Sequence, residues 1–333
     1  MQNPGDTKKA PIRVSNSSTN ALSDCQQYYK FQYVDRIRPE TTGSALIFGS
    51  AIDNALNTML EEKLLSPILT NKTPEQVFLE SMSTIEINDV KHEGKGLTLI
   101  TYSKGDFDLD LLTEDDIAEL SKEISSEIGD FVQSCHYYKG ELEENEIRLF
   151  SKIGWMCLYR KGLMLLSAYR EDILPTIDYV VSVQEKVELV NDSGDILVGV
   201  IDAIIKFKDD DIIYICDNKT SSTPYKESDL YNSKQLATYS EYKQNPYVAY
   251  LVLEKKIRKN EPRVRTQILK GKLTNELMEK IFLDYQRDLD IIKKGIFEKN
   301  HKKCYNFFGK KCPFFGICKE GSMDGLVKLG ERK

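Results

Sequence analysis

The sequence predicts an α/β protein of the α+β kind: a mixed central sheet containing an antiparallel meander, helices on its flanks, and a helical insertion. Three observations lead there. Apolar strand patterns at Tyr179–Val190, Ile196–Phe207 and Ile212–Asp217 are separated by the turn sequences Asn191–Gly194 and Lys208–Asp211, short enough to make neighbours antiparallel. Helical patterns precede and follow this meander. At 333 residues, 41% hydrophobic and 29% charged, the chain has the size and composition to bury a full globular core.

Taken in order, residues 1–14 read as a disordered tail. Ser15–Ser18 then supplies N-cap candidates for a helix running through Cys25 and Tyr29, because Ser and Asn side chains satisfy the first free N–H groups. A second helix spans Ala45–Leu65, with Ile52, Leu56, Met59 and Leu60 at helical spacing. Residues 15–70 form these N-terminal helices, and 71–175 reads as an acidic, mostly helical insertion, with a loop near Gly94–Gly105. The core, 176–300, holds the meander, a helix from Ser228 to Tyr242, a strand at Tyr247–Glu254, another near Arg263–Leu269, and a long helix from Thr274 to Phe297. A cysteine-rich segment at 301–320 completes a single domain of 15–320, and 321–333 reads as a tail.

Charge is unevenly spread. The net charge is −6, yet residues 251–333 carry 21 Lys and Arg against 11 Asp and Glu. A basic C-terminal third suits a polyanion such as DNA, with the acidic helices facing elsewhere; a merely uneven surface is the plainer reading. No apolar run approaches the roughly 20 residues of a membrane span, and Met1–Asn20 lacks a signal-peptide core. A reducing cytoplasm, bacterial or that of a virus-infected host cell, is the expected location. There, seven cysteines point to metal binding or packing rather than disulfides.

Asp202 is the only charged residue in the apolar run Ile196–Ile205. Burying a lone carboxylate costs several kcal/mol unless something pairs with it. In the next strand, alternation puts Ile213, Ile215, Asp217 and Lys219 on one side. Carboxylates on rigid strands suit Mg²⁺ or Mn²⁺, which prefer oxygen ligands. Such a cation activates water, and a neighbouring lysine stabilises developing negative charge. Asp202, Asp217 and Lys219 are therefore the candidate catalytic residues of a phosphodiester hydrolase.

With these strands in place, the chain resembles the PD-(D/E)XK nuclease superfamily, specifically its RecB-like exonuclease branch. The resemblance rests on Gly199–Asp202, on Asp217–Thr220, and on the helix bearing Gln235 and Tyr239, which match that branch in order. It covers about residues 15–55 and 180–320 and implies a restriction-endonuclease-like core. It further implies that Gln235 and Tyr239, four apart on one helix face, position DNA or the lysine. Where the branch carries a histidine in a G-x-x-x-H segment, this chain has Gly49 and Asp53. Asp53 is then an oxygen ligand in place of imidazole, joining Asp202 and Asp217, or else a sign of weakened catalysis or a solvated helix residue. Glu185, in the first meander strand, is an accessory candidate, although its neighbour Lys186 offers a plain surface pairing.

Cys304, Cys312 and Cys318 lie close together beside Gly and Pro turns, and Cys25 is the candidate fourth thiolate for a [4Fe-4S] cluster or a tetrahedral zinc. The split of one N-terminal and three C-terminal cysteines resembles the iron–sulfur staple of AddAB-type and CRISPR-associated RecB-like nucleases. The seven residues between Cys304 and Cys312 exceed the two usual there. With zinc, His301 is a substitute ligand. Cys135, Cys157 and Cys216 read as core residues.

The resulting expectation is a Mg²⁺- or Mn²⁺-dependent DNA exonuclease acting on single strands or duplex ends, in recombination, repair or phage DNA processing. Tyr305, Phe307, Lys310 and Lys311 would contact the strand, or the rings would pack around the cluster. The alternatives are a DNA-binding scaffold subunit with weakened catalysis and a structure-specific endonuclease. No G-x-x-x-x-G-K-[ST] loop is present, so any unwinding requires a helicase or recombination partner.

Overall fold

The computed structural model describes residues 11–39, 44–64, 72–87, 90–93, 161–255, 264–305, 309 and 311–330. Its centre is a six-stranded mixed sheet of β1 (Arg13–Ser15), β5 (Ile177–Val190), β6 (Ile196–Phe207), β7 (Ile213–Ser221), β8 (Tyr247–Glu254) and β9 (Thr266–Lys272). The predicted meander is present: β5, β6 and β7 pair antiparallel, β8 joins β7 in parallel, and β9 closes antiparallel on β8.

β6 carries a gap that matters for the site. β5 pairs along one whole edge of it, from Leu189↔Leu197 to Val180↔Ile205. On the other edge, β1 pairs only with Ile196–Val198 and β7 only with Ala203–Lys206. Among the described residues, no strand therefore lies beside residues 199–202 on that edge. β1 also corrects the expectation of a disordered tail through residue 14. The Ile196 N–H donates to the Ile12 carbonyl at 2.8 Å, and the Ile12 N–H donates to Asp195 Oδ1 at 3.2 Å, which anchors the strand.

Helices cover both faces. On one, α3 (Ser44–Glu61) packs Ile52, Leu56, Met59 and Leu60 with Leu165, Leu166 and Tyr169 against Ala203, Ile205 and Phe207. On the other, α5 (Glu227–Tyr231), α6 (Lys234–Lys243) and α7 (Asn275–Lys294) bring Leu230, Leu236, Tyr239, Ile281, Tyr285 and Leu289 onto Leu197, Ile201, Ile204 and Ile215. Each fully buried Leu or Ile contributes about 1.5–3 kcal/mol. The single helix expected from Ser228 to Tyr242 is two, because the Ser233 side chain accepts from the Leu236 N–H at 3.1 Å and starts a new helix. Thr274 and Gly295 cap α7 at its start and end, as Thr and a left-handed Gly do well.

The N-terminal helix is also interrupted. α1 (Asn16–Asp24) has Ser15 as its cap, the backbone turns extended at Cys25, and the short α2 (Gln26–Tyr29) follows. After α4 (Pro74–Ser83) comes a hairpin, β3 (Thr84–Ile87) with β4 (Val90–Glu93), so this part of the expected helical insertion contains strands. Cys135, Cys157 and the predicted loop at 94–105 lie outside the described residues. The expected C-terminal tail is corrected as well: β10 (Leu326–Lys328) pairs antiparallel with β2 (Ile37–Pro39), and buried Leu326 and Ile37 share a small core with Phe31 and Phe314. No helix among the described residues is long and apolar enough to cross a membrane.

Candidate active site

Asp202 and Asp217 sit where two strands part. The β6–β7 ladder runs from Lys206↔Ile213 to Ala203↔Cys216 and ends; the next residues are the two aspartates. β7 continues to Ser221 beside β8. The Asn218 N–H, which has no β6 partner, donates to Asp202 Oδ2 at 2.8 Å. The buried-carboxylate problem posed by the sequence is thus partly met by backbone.

Lys219 is held from two sides. Its ammonium pairs with Asp217 Oδ2 and donates to Gln235 Oε1 at 3.2 Å. Gln235 Nε2 in turn donates to the Tyr239 hydroxyl at 2.9 Å, and that hydroxyl donates to the Val200 carbonyl at 2.6 Å. Val200 lies in the β6 gap, so Tyr239 occupies a place where a strand would have bonded. Gly199 makes the room: a Cβ there would lie 2.6 Å from Tyr239 Cε1.

Asp53 approaches from α3, where burial, then the Asp217 charge, raise its pKa against a hydrogen bond from Asn57 and the pull of Lys219. Asp202 is pushed well above the ordinary carboxylate range by burial first, then by Asp217 and Asp53. Burial also raises Asp217, opposed by Lys219. For Lys219, burial works against its charge, yet the Asp217 carboxylate prevails and its pKa lies above that of an ordinary lysine. Three carboxylates thus face one ammonium; burial is the main cause of their raised pKa values, and like charge adds to it at Asp53 and Asp202.

Hydrogen bonding is incomplete at the same place. Among the described residues, two buried side-chain atoms have neither a hydrogen bond nor an ion pair, Asn57 Oδ1 and Asn218 Nδ2, and both belong to this cluster. Buried polar atoms left without partners mark a place for an ion, water or substrate. Oxygen donors and excess negative charge fit a hard divalent cation. The fit rests on that donor chemistry alone, since among the described residues no three or more His, Cys, Asp or Glu, the four cysteines included, are placed so as to hold a metal ion; the Lys219 ammonium pairs with Asp217.

Glu185 does not join the cluster. Lys243 pairs with it at 2.8 Å and Ser182 donates to it at 3.0 Å. Tyr169, which sequence reasoning missed, does approach. Its hydroxyl donates to Asn218 Oδ1 at 3.3 Å, and burial, then Cys216, Asp202 and Asp53, hold its pKa well above the usual value. Cys216 is buried in the core, as its sequence context implied.

Cys25, Cys304, Cys312 and Cys318 are all free thiols and line one cavity of ≈ 960 Å³. The break between α1 and α2 presents Cys25, whose sulfur accepts from the Asn300 N–H at 3.4 Å. The Cys312 N–H donates to the Cys304 carbonyl at 2.8 Å. Burial raises the Cys312 thiol, and each of the other three thiols adds to that rise. His301 Nδ1 lies 2.7 Å from Lys319 Nζ. Tyr305 is exposed and its ring meets Phe315 at 5.4 Å, with Lys311 lying 4.6 Å over Phe315. Phe307, Phe308 and Lys310 lie outside the described residues.

A strand fork bearing acidic residues and a lysine, on a mixed sheet between helices, defines a class of nuclease cores. The family profile of the PD-(D/E)XK nuclease superfamily matches residues 145–319, more than half of the chain, and the chain belongs to that superfamily. No curated protein matches it.

Proposed function

We propose that this protein is a Mg²⁺- or Mn²⁺-dependent DNA exonuclease of the RecB-like branch, hydrolysing phosphodiester bonds of single strands or duplex ends. The observation that carries the reading is the strand fork itself: Asp202 and Asp217 open from it toward Asp53, with Lys219 tied to Asp217 and Gln235. The superfamily match supports a nuclease, and the Gln235–Tyr239 pair on α6 supports the branch.

Asp202, Asp217 and Asp53 would hold the divalent cation. When bound, that cation lowers the pKa of water and neutralises charge on the phosphate. Lys219 stays protonated beside Asp217 and donates to the phosphate oxygen on which negative charge grows. Gln235 and Tyr239 fix the ammonium so that little reorganisation is required during the reaction. Water oxygen bonds to phosphorus as the water releases a proton to solvent, the bridging P–O bond breaks, and the leaving oxygen takes a proton from solvent.

Cys25, Cys304, Cys312 and Cys318 would hold a [4Fe-4S] cluster as a structural staple. Zinc is the alternative, and the contact of His301 with Lys319 favours the four-thiolate set in either case. The lysines and rings beside this cavity, Lys311 and Tyr305 among them, suit a DNA strand.

The test is degradation of end-labelled single- and double-stranded DNA, with free and blocked ends, by anaerobically purified wild type and Asp217→Ala. Metal-dependent cleavage from free ends, lost in Asp217→Ala while DNA binding persists, is the expected result. Cleavage of blocked substrates would move the reading to an endonuclease. A folded, metal-loaded wild type that cuts nothing would reduce it to a DNA-binding subunit.

A further inference from the structure

The β5–β6 hairpin changes faces in mid-course. In a regular strand, residues two apart point to the same side. On β6, Leu197 and Ile201 pack in the core beneath α6 and α7, yet Ala203, Ile205 and Phe207 pack in the opposite core beneath α3. All five positions are odd-numbered, so the pleat inverts between Ile201 and Ala203. β5 does the same: Val183 packs with the α3 core, whereas Val187 and Leu189 pack with the other. The register is kept through the inversion, with Val183↔Ala203 on one side of it and Glu185↔Ile201 on the other. Between those pairs, Gln184 stands opposite Asp202.

Gln184 has φ +54°, a left-handed conformation that non-glycine residues adopt rarely and at a cost. It is the only residue of β5 or β6 with such a backbone among the described residues. Because both strands turn over together at this pair, Asp202 is not aimed at either face. Its carboxylate lies along the sheet toward β7, where it takes the Asn218 N–H at 2.8 Å.

The geometry points to Gln184 as a positioning residue: its left-handed backbone inverts the hairpin pleat and so turns Asp202 edge-on into the fork between β6 and β7. The proposal rests on the reading of Asp202 as a cation ligand. Glycine adopts this conformation without strain, and a β-branched residue resists it.

The full chain is compared as wild type, Gln184→Gly, Gln184→Val and Asp202→Asn, by metal-free melting temperature and by Mn²⁺ affinity in titration calorimetry. Gln184→Gly is expected to melt no lower than wild type and to keep its Mn²⁺ affinity within about twofold, since relieving a left-handed residue offsets the added chain freedom. Gln184→Val is expected to melt lower and to bind Mn²⁺ at least about tenfold more weakly, as loss of a ligand-orienting group does. A Gln184→Gly protein that melts markedly lower, as glycine in a regular strand does, overturns the proposal, and this arm decides even if Gln184→Val fails to fold. Wild-type affinity in folded Gln184→Val, alongside lost affinity in Asp202→Asn, overturns the role of Gln184 alone. Absence of Asp202-dependent Mn²⁺ binding in the wild type removes the cation reading and the Gln184 role with it.

Discussion

Asp202 is where stability and function oppose one another. Its pKa is raised in the folded protein by burial and by Asp217 and Asp53, so the folded state holds a proton there more tightly than the unfolded chain. The stabilisation linked to that proton is complete below the unfolded value and is lost as pH rises through the folded one. Without metal, ionising Asp202 as pH rises therefore costs the fold stability. Asp202→Asn removes the charge and keeps an oxygen for the Asn218 N–H. It should raise metal-free stability at neutral pH by about 1–3 kcal/mol while abolishing stabilisation by Mn²⁺. Melting curves at acidic and neutral pH check this: acidification should narrow the difference, and an asparagine variant less stable at neutral pH would refute the electrostatic account. The sequence disclosed Asp202, Asp217 and Lys219 because charge in an apolar strand demands an explanation. Asn57, Tyr169, Gln184 and Asn218 escaped notice because neutral residues at such positions break no pattern. Gln184 in particular replaces the Gly or Asn that a left-handed position ordinarily announces.

The β6 gap is an element-scale device. Between β1 and β7, α6 supplies the Tyr239 hydroxyl where a strand would have bonded, and Gly199 leaves space for the ring. Gly199→Ala forces that ring away and should destabilise by about 1–3 kcal/mol. Tyr239→Phe strips a partner from the Val200 carbonyl and from Gln235, at a similar cost of about 1–3 kcal/mol. Since both changes act on one contact, the double variant should depart from additivity by at least about 0.5 kcal/mol in chemical denaturation, and strict additivity would mean that the two sites are independent. The meander was legible because its turns, Asn191–Gly194 and Lys208–Asp211, are polar and short. The three-residue strands β1, β2 and β10 were not, because so short a strand has no periodicity to read and exists only through its partner. The cap at Ser233 was visible in principle, but the apolar pattern continued across it.

At the scale of the molecule, the chain's two ends meet in two places. One is the β2–β10 pair, reinforced by Arg36, which donates to the Gly330 carbonyl, and by the Leu329 N–H, which donates to the Arg36 carbonyl at 2.9 Å. The other is a cavity lined by Cys25 and by three cysteines from the C-terminal segment, the place proposed for a metal. A metal bridging so long a loop would remove much freedom from the unfolded chain, because closure entropy grows with loop length, and would add its binding free energy to folding. The β2–β10 pair would not depend on such a metal, and the Asp202–Asp217 fork lies in the central sheet, on strands that contribute none of the four cysteines. Cys25→Ala should therefore lose iron and sulfide, or zinc, in elemental analysis and melt several degrees lower. It should still retain the β2–β10 amide protection in hydrogen exchange and the Mn²⁺ site in calorimetry. Full metal content in Cys25→Ala would exclude Cys25 as a ligand. Loss of the Mn²⁺ site together with the cluster would mean that the staple organises the catalytic sheet as well as the chain ends.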